Sequence, residues 1–327
     1  MPQTGQIAVF RPSGEQDLSA LDAARVQIIH GFYPHHEAWR SRGYRVAVEA
    51  SGSHDAGVVF LPRAKAQARD LIARAADCSQ SGIVIVDGQK TDGVDSILKA
   101  CRKAGARVSE VFSKAHGKTF SFTGGDFSGW RAPAQLDIEA GFVTAPGVFS
   151  ADGIDTGSAL LAAAMQGQLK GRVCDLGAGW GYLSRKVLSS EKVTECHLVE
   201  AEHAALECAR HNIDDARAQF HWADATQFSG AGDFDHVVTN PPFHVGRAAD
   251  ASLGQGFIAA AARLLGRRGT LWLVANRHLP YERELAAAFG EVAELGGDGS
   301  FKVLRASRPH GAGGRGPQST GRKQVLT

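Results

Sequence analysis

The sequence predicts an α/β protein of two domains, each folded around a mainly parallel sheet. Three observations carry that expectation. Short apolar, β-branched runs alternate with alanine-rich helical stretches along most of the 327 residues, which is the pattern of helices packed on a parallel sheet. The length exceeds the roughly 100 to 200 residues of a single domain, and the alternation occurs twice. Between the two occurrences, Gly, Pro and Ser crowd into TGGDFSGWRAPAQ (123–135), as they do in a linker.

In the first half RVAVEA (45–50) and VVFLP (58–62) read as strands, 64–76 as a helix, IVIVDG (83–88) as a strand and 93–104 as a second helix. Residues 107–122 read as extended. The boundary is expected near Phe127, which gives domains 1–126 and 127–308 and a tail 309–327. In the second half RVCDLGAG (172–179) is a strand running into a glycine turn, followed by a helix 181–188, the strand CHLVEA (196–201) and a helix 202–212. HVVTNPPF (236–243) is a strand ending in a rigid turn. A helix 253–265, the strand TLWLVAN (270–276) and a helix 281–289 come next, and EVAEL (291–295) with SFKVLRA (300–306) is expected to close the domain as an antiparallel pair. The two halves have the form of an old duplication of which only the second kept its motifs.

Composition narrows the class. At 43% hydrophobic the chain can bury two cores, yet no run approaches the ~20 apolar residues of a membrane helix. The opening MPQTGQIAVFRPSG lacks a secretory signal, so a cytoplasmic protein without a membrane partner is expected. The 5 cysteines are scattered and show no zinc spacing, so reduced thiols and no metal site are expected. Net charge is only +2, but from Ser300 to Thr327 there is no acidic residue, while Lys302, Arg305, Arg308, Arg315, Arg322 and Lys323 are basic. A flexible basic tail follows, either a solvated end or an arm that seeks phosphates. The oligomeric state is left open, a monomer included.

The chemistry concentrates in the second half. Asp175-Leu-Gly177-Ala-Gly179-Trp-Gly181 stands where a ligand binds an α/β sheet, at the carboxyl end of a first strand and the start of a helix. Its spacing is GxGxG, which disfavours the dinucleotide fingerprint, and no Gly-Lys-Ser/Thr follows to make a phosphate loop. Glu200 ends the next strand, where an acid can accept hydrogen bonds from two ribose hydroxyls; Glu202 competes for that role. Asp224, between Ala223 and Ala225, is a candidate acceptor for an adenine amino group. Asn240-Pro241-Pro242-Phe243 points to the methylation of a planar amine. Such a nitrogen is a poor nucleophile because its lone pair is delocalised. The Asn240 side-chain carbonyl and the Pro241 main-chain carbonyl are acceptors that localise it, the paired prolines fix the turn, and Phe243 offers a stacking face for a base.

On these residues the chain resembles the class I S-adenosylmethionine-dependent methyltransferases, and more closely the bacterial ribosomal RNA guanine-N2 methyltransferases of the small-subunit type. PGVFSADGIDTGSALL (146–161), DLGAGWGYLS (175–184), NPPFH (240–244), LVANRHLPY (273–281) and FKVLRA (301–306) carry the resemblance. VVFLPRAKAQARDLI (58–72) and DGQKTDGV (87–94) are similar to that family's amino-terminal domain. The resemblance implies two Rossmann-like methyltransferase domains. The first is degenerate and used for RNA placement; the second has a seven-stranded sheet. S-adenosylmethionine is the implied donor, ribosomal RNA or a ribosomal subunit the partner, and N2-methylguanosine the product. Asp175, Gly177, Gly179, Gly181 and Glu200 fall on the cofactor motifs, and Asn240, Pro241, Pro242 and Phe243 on the target-base motif. The residues by themselves also admit adenine N6, cytosine N4 or a protein glutamine as the amine, or a noncatalytic RNA-binding assembly factor on the same scaffold.

Overall fold

The computed structural model describes residues 4–230, 232–242 and 251–310. They form two compact units. One comprises the chain up to Asp155 with Gly177–Arg185 and Leu198–Ala225; the other comprises Thr156–Leu176, Lys186–His197 and the chain from Thr226.

The first sheet is built from β1 (Ile7–Phe10), β2 (Val26–Ile29), β3 (Arg45–Ala47), β4 (His54–Phe60), β5 (Ser79–Gln89), β6 (Arg107–Val108), β7 (Phe112–Lys114) and β8 (Gly117–Thr123), with helices α1 (Tyr33–Ser41), α2 (Lys65–Cys78) and α3 (Val94–Lys103). Its order is β3-β2-β1-β4-β5-β8-β6, with β7 beside β8. The first five strands pair in parallel, and β8 runs antiparallel to its neighbours. Alternation along β1 explains why both faces are covered. Ile7 and Val9 enter one core with Val26, Ile28, Val58 and Trp39, whereas Ala8 and Phe10 enter another with Val59, Val84, Ile72 and Ile97.

A short antiparallel pair, β9 (Leu136–Ile138) and β10 (Phe142–Thr144), follows. Then come α4 (Thr156–Met165), β11 (Gly171–Leu176), α5 (Tyr182–Leu188), β12 (Val193–Glu200), α6 (His203–Asn212), β13 (Ala218–Trp222), β14 (Phe234–Thr239), α7 (Ala251–Leu264), β15 (Leu265–Asn276), α8 (Glu282–Ala288), β16 (Phe289–Gly297) and β17 (Phe301–Pro309). The seven strands from β11 to β17 are ordered β13-β12-β11-β14-β15-β17-β16. β16 and β17 are the antiparallel pair expected of the closing segments. The two sheets share one plan. In each the first strand lies inside, the second and third go out on one side and the fourth and fifth on the other. The last is inserted antiparallel beside the fifth. The order reverses at the first strand, and ligands of such sheets bind at the carboxyl ends of the strands there.

Several elements are not foreseen in the sequence. No element is expected ahead of Arg45, yet β1, β2 and α1 lie there. Both strands have only four residues, and the apolar run of β2 is broken by Gln27, a buried side chain that meets His54 at 2.7 Å and donates to Ser51 at 3.0 Å. α1 starts on a Tyr-Pro pair and carries two histidines, which hides its apolar face. The cysteines are free thiols. Burial pushes Cys101 up to about 12 and Cys78 and Cys208 up to about 11, so these thiols stay protonated and inert at neutral pH. β17 continues through Pro309; residues 311–327 of the expected tail lie outside the described residues. No described helix is long and apolar enough to cross a membrane.

Candidate active site

Asp175 is fully buried at the end of β11, level with Val238 of β14. Beyond it Gly177, Gly179 and Gly181 take φ of 73°, 55° and 88°, values that glycine adopts without the steric cost of a side chain. The N–H groups of Gly177 and Ala178 both donate to the carbonyl of Val199, at 2.9 and 3.1 Å. The Gly179 N–H donates to Glu200 Oε2 at 2.8 Å. The glycines do different work. A Cβ on Gly181 would come within 2.9 Å of Ile213 and 3.2 Å of Ala209, so this position lets α6 pack closely. A Cβ on Gly179 would meet nothing within 4 Å, so the backbone beside the Glu200 carboxylate is open to a ligand.

Glu200 is half-buried, and its other oxygen accepts from the Glu202 N–H at 2.7 Å. Burial holds its pKa above the ordinary glutamate value, against the pull of the two N–H donors. Glu202, the competing acid, is committed elsewhere: Arg11 grips its carboxylate with two bonds of 2.9 and 3.2 Å. The acid that faces the glycine turn is therefore Glu200. The Ala223 N–H donates to the Glu200 carbonyl at 3.0 Å, which brings half-buried Asp224 and buried Ala225 to the same strand end.

At the end of β14 the Thr239 hydroxyl donates to the Leu176 carbonyl at 2.7 Å. Asn240 follows, and its Nδ2 donates to Ser158 Oγ at 2.9 Å. That bond orients the amide. Ser158 holds the nitrogen end, and the buried Oδ1 is the end it does not hold. Pro241 is buried and Pro242 exposed; neither brings an N–H that would compete for an acceptor. Phe243, the expected stacking face, and His244 lie outside the described residues.

Three supporting residues escape sequence reasoning. Ser158 sits buried on α4, inside a stretch that carries the family resemblance, but its bond to Asn240 has no sequence signature. Asn212 ends α6 and binds Val143 through both main-chain groups, at 2.7 and 2.8 Å, and the Trp180 carbonyl at 2.7 Å. Arg11 is the third. Among the described residues no group of His, Cys, Asp and Glu is placed to hold a metal ion. The arrangement offers an acid at an open glycine turn, suited to a diol, and an oriented carboxamide on a proline-fixed turn, suited to an amine.

Residues 139–305 match the family model of the methyltransferase small domain. The chain is 31% identical over 265 residues to ribosomal RNA small subunit methyltransferase C of Cronobacter sakazakii, covering 79% of this chain and 77% of that one. It is 30% identical over 262 residues to the protein of that name from a Shewanella species, covering 76% of each. Among solved structures it is similar to the T. thermophilus 16S rRNA N2 G1207 methyltransferase in complex with AdoMet and guanosine, at a TM-score of 0.79 and 25% identity, covering 94% of this chain and 89% of that one.

Proposed function

Because the chain belongs to the ribosomal RNA small subunit methyltransferase C family, we propose that it transfers a methyl group from S-adenosylmethionine to the exocyclic N2 of a guanine in small-subunit ribosomal RNA. The observation that carries this reading is the Asn240 amide, whose nitrogen is held by Ser158; in this reading its oxygen accepts an amine hydrogen. The Pro241 carbonyl is the second acceptor. Together they localise the lone pair of the amine, which attacks the methyl carbon in line as the carbon–sulfur bond breaks. The proton leaves to water, so no side chain has to act as a general base. Alignment supplies much of the rate.

S-adenosylmethionine supplies an electrophilic methyl on a sulfonium. The open backbone at Gly179 fits such a ligand. In our reading Gly177, Gly179 and Gly181 give backbone access, Glu200 accepts from the ribose hydroxyls, Asp224 accepts from the adenine amine, and Asp175 anchors the turn. Pro242 stiffens the target-base turn and Phe243 stacks on the base.

Residues 1–126 are assigned to RNA placement. Between Lys90 and Lys118 seven lysines and arginines stand against three acids, whereas residues 1–89 carry nine of each. The enzyme is expected to work in the cytoplasm on ribosomal RNA or the subunit that contains it.

Inosine tests the target atom. It keeps guanine's ring, O6 and N7 but lacks the amine. Replacing the single target guanine by inosine should leave RNA binding largely intact and abolish transfer of labelled methyl. Continued labelling would rule out guanine N2 at that position and leave another base amine as the acceptor.

A further inference from the structure

The first sheet repeats the geometry of the cofactor turn with the chemistry removed. β11 ends at Leu176 and Gly177 follows; β1 ends at Phe10 and Arg11 follows. The Gly177 N–H donates to the carbonyl of Val199 near the end of β12, and the Arg11 N–H donates to that of Ile29 at the end of β2, both at 2.9 Å. Arg11 even keeps a positive φ of 54°, a backbone conformation that is strained for a non-glycine residue. Where Glu200 stands one residue past Val199, His30 stands one residue past Ile29. Burial, then the nearby Arg11 charge, hold its pKa down to about 2, so it is a neutral imidazole. A strained arginine in place of the first glycine and an uncharged ring in place of the ribose acid leave this cleft without the means to hold an adenosyl group.

The arginine has another partner. Its guanidinium forms a two-pronged bond to Glu202, and both side chains are mostly shielded, at 20% and 17% exposure. Around that bond the chain after β2 is stitched to the chain after β12. The His203 N–H donates to the Gly31 carbonyl at 2.8 Å and the Tyr33 N–H to the Ala201 carbonyl at 2.8 Å. The Trp222 indole N–H is shared between the Gly31 and Ala201 carbonyls, at 3.2 and 2.8 Å. A Cβ on Gly31 would come within 3.0 Å of Glu202 Oε1, so the fit is close. Glu202 in turn gives its N–H to Glu200.

We propose that the vestigial ligand turn of the first sheet has become a clamp on the cofactor site, and that Arg11 is a positioning residue acting through Glu202 on Glu200. This rests on the reading of Glu200 as the ribose acceptor. The clamp accounts for an arginine held in a backbone conformation that favours glycine: the strain is offset by a shielded, two-pronged ion pair.

The test uses the full chain and S-adenosylmethionine as the titrant in calorimetry. Arg11→Gly relieves the strained φ while removing the grip. It should weaken cofactor affinity about tenfold and raise KM for the cofactor, with kcat at saturating cofactor held within about twofold. Arg11→Lys should recover part of the affinity, and Glu202→Gln, which keeps an acceptor for Arg11, should lose less than Arg11→Gly. A folded Arg11→Gly protein with unchanged affinity, or one that loses kcat alone, overturns the clamp. Glu200→Gln separates the two readings. If it abolishes binding while Arg11→Gly does not weaken it, only the clamp fails; if Glu200→Gln binds normally, the assignment of the ribose acid fails with it.

Discussion

The proposed function gives Asn240 the reaction and Glu200 the binding of the cofactor, and each assignment is measurable at a single side chain. Asn240→Ala should keep cofactor affinity within about twofold and lower turnover on the order of a hundredfold or more, because the amine's lone pair needs localising only in the transition state. A variant with normal turnover and weakened cofactor binding would reverse these roles. Ser158→Ala removes the hold on the nitrogen end of the Asn240 amide, and should cost about tenfold in turnover with little change in cofactor affinity. Glu200 gives a pH signature. Its carboxylate is the form that accepts from hydroxyls, and burial raises its pKa, so cofactor affinity is full at neutral pH and declines as the pH falls. The decline should set in above the pH at which an ordinary glutamate, near 4.5, takes up its proton. Titrating affinity against pH checks this, and the step should be absent from Glu200→Gln.

The joints between elements are set by groups that show poorly in a sequence. Asn212 ties the end of α6 to β10 and to the glycine turn by three hydrogen bonds. Each is worth about 1 kcal/mol net, so Asn212→Ala should lower unfolding stability by about 2 to 3 kcal/mol in a urea titration. An unchanged midpoint would assign those bonds no weight. The regular part of the second half is legible: β11, β12, β14 and β15 each hold a short buried apolar stretch, residues 173–174, 198–199, 237–238 and 271–275, as strands covered on both faces do, and the GxGxG turn and Asn-Pro-Pro follow the ends of β11 and β14, where ligands of such sheets bind. β1 and β2 are not, because four residues carry too little periodicity and Gln27 interrupts the second. The choice between Glu200 and Glu202 is also closed to sequence reasoning. It depends on Arg11, which lies 191 residues away, and no local pattern reports an ion pair of that range.

Across the whole chain one sheet plan appears twice with opposite fates. The second copy keeps an open turn, an acid and an amide oriented by Ser158; the first keeps the backbone turn and fills it with charge. That leaves the first sheet's remaining surface for another partner. Lys90, Lys114, His116 and Lys118 line a shallow cavity of about 330 Å³, and exposed Lys99 and Lys103 follow Asp95 at four-residue steps along α3, one face of the helix. Lys99→Glu with Lys103→Glu should weaken RNA binding and flatten its salt dependence by about one unit of slope for each phosphate no longer neutralised, with cofactor affinity untouched. Equal RNA affinity and slope would remove RNA placement from this face. The shared indole proton of Trp222 adds an optical consequence. This ring is packed edge-on against Tyr33, His36 and His203, with centroids 4.9 to 5.3 Å away, and its N–H reads the carbonyls of Gly31 and Ala201 at once. Any ligand that tightens Glu200 changes the polarity and rigidity around that indole, so its fluorescence should report cofactor arrival without a label. Trp180 sits between Gly179 and Gly181 in the turn itself, so the test is run in a Trp180→Phe background: there the emission change should persist, and it should disappear on adding Trp222→Phe, while the buried Trp39 and Trp272 stay silent.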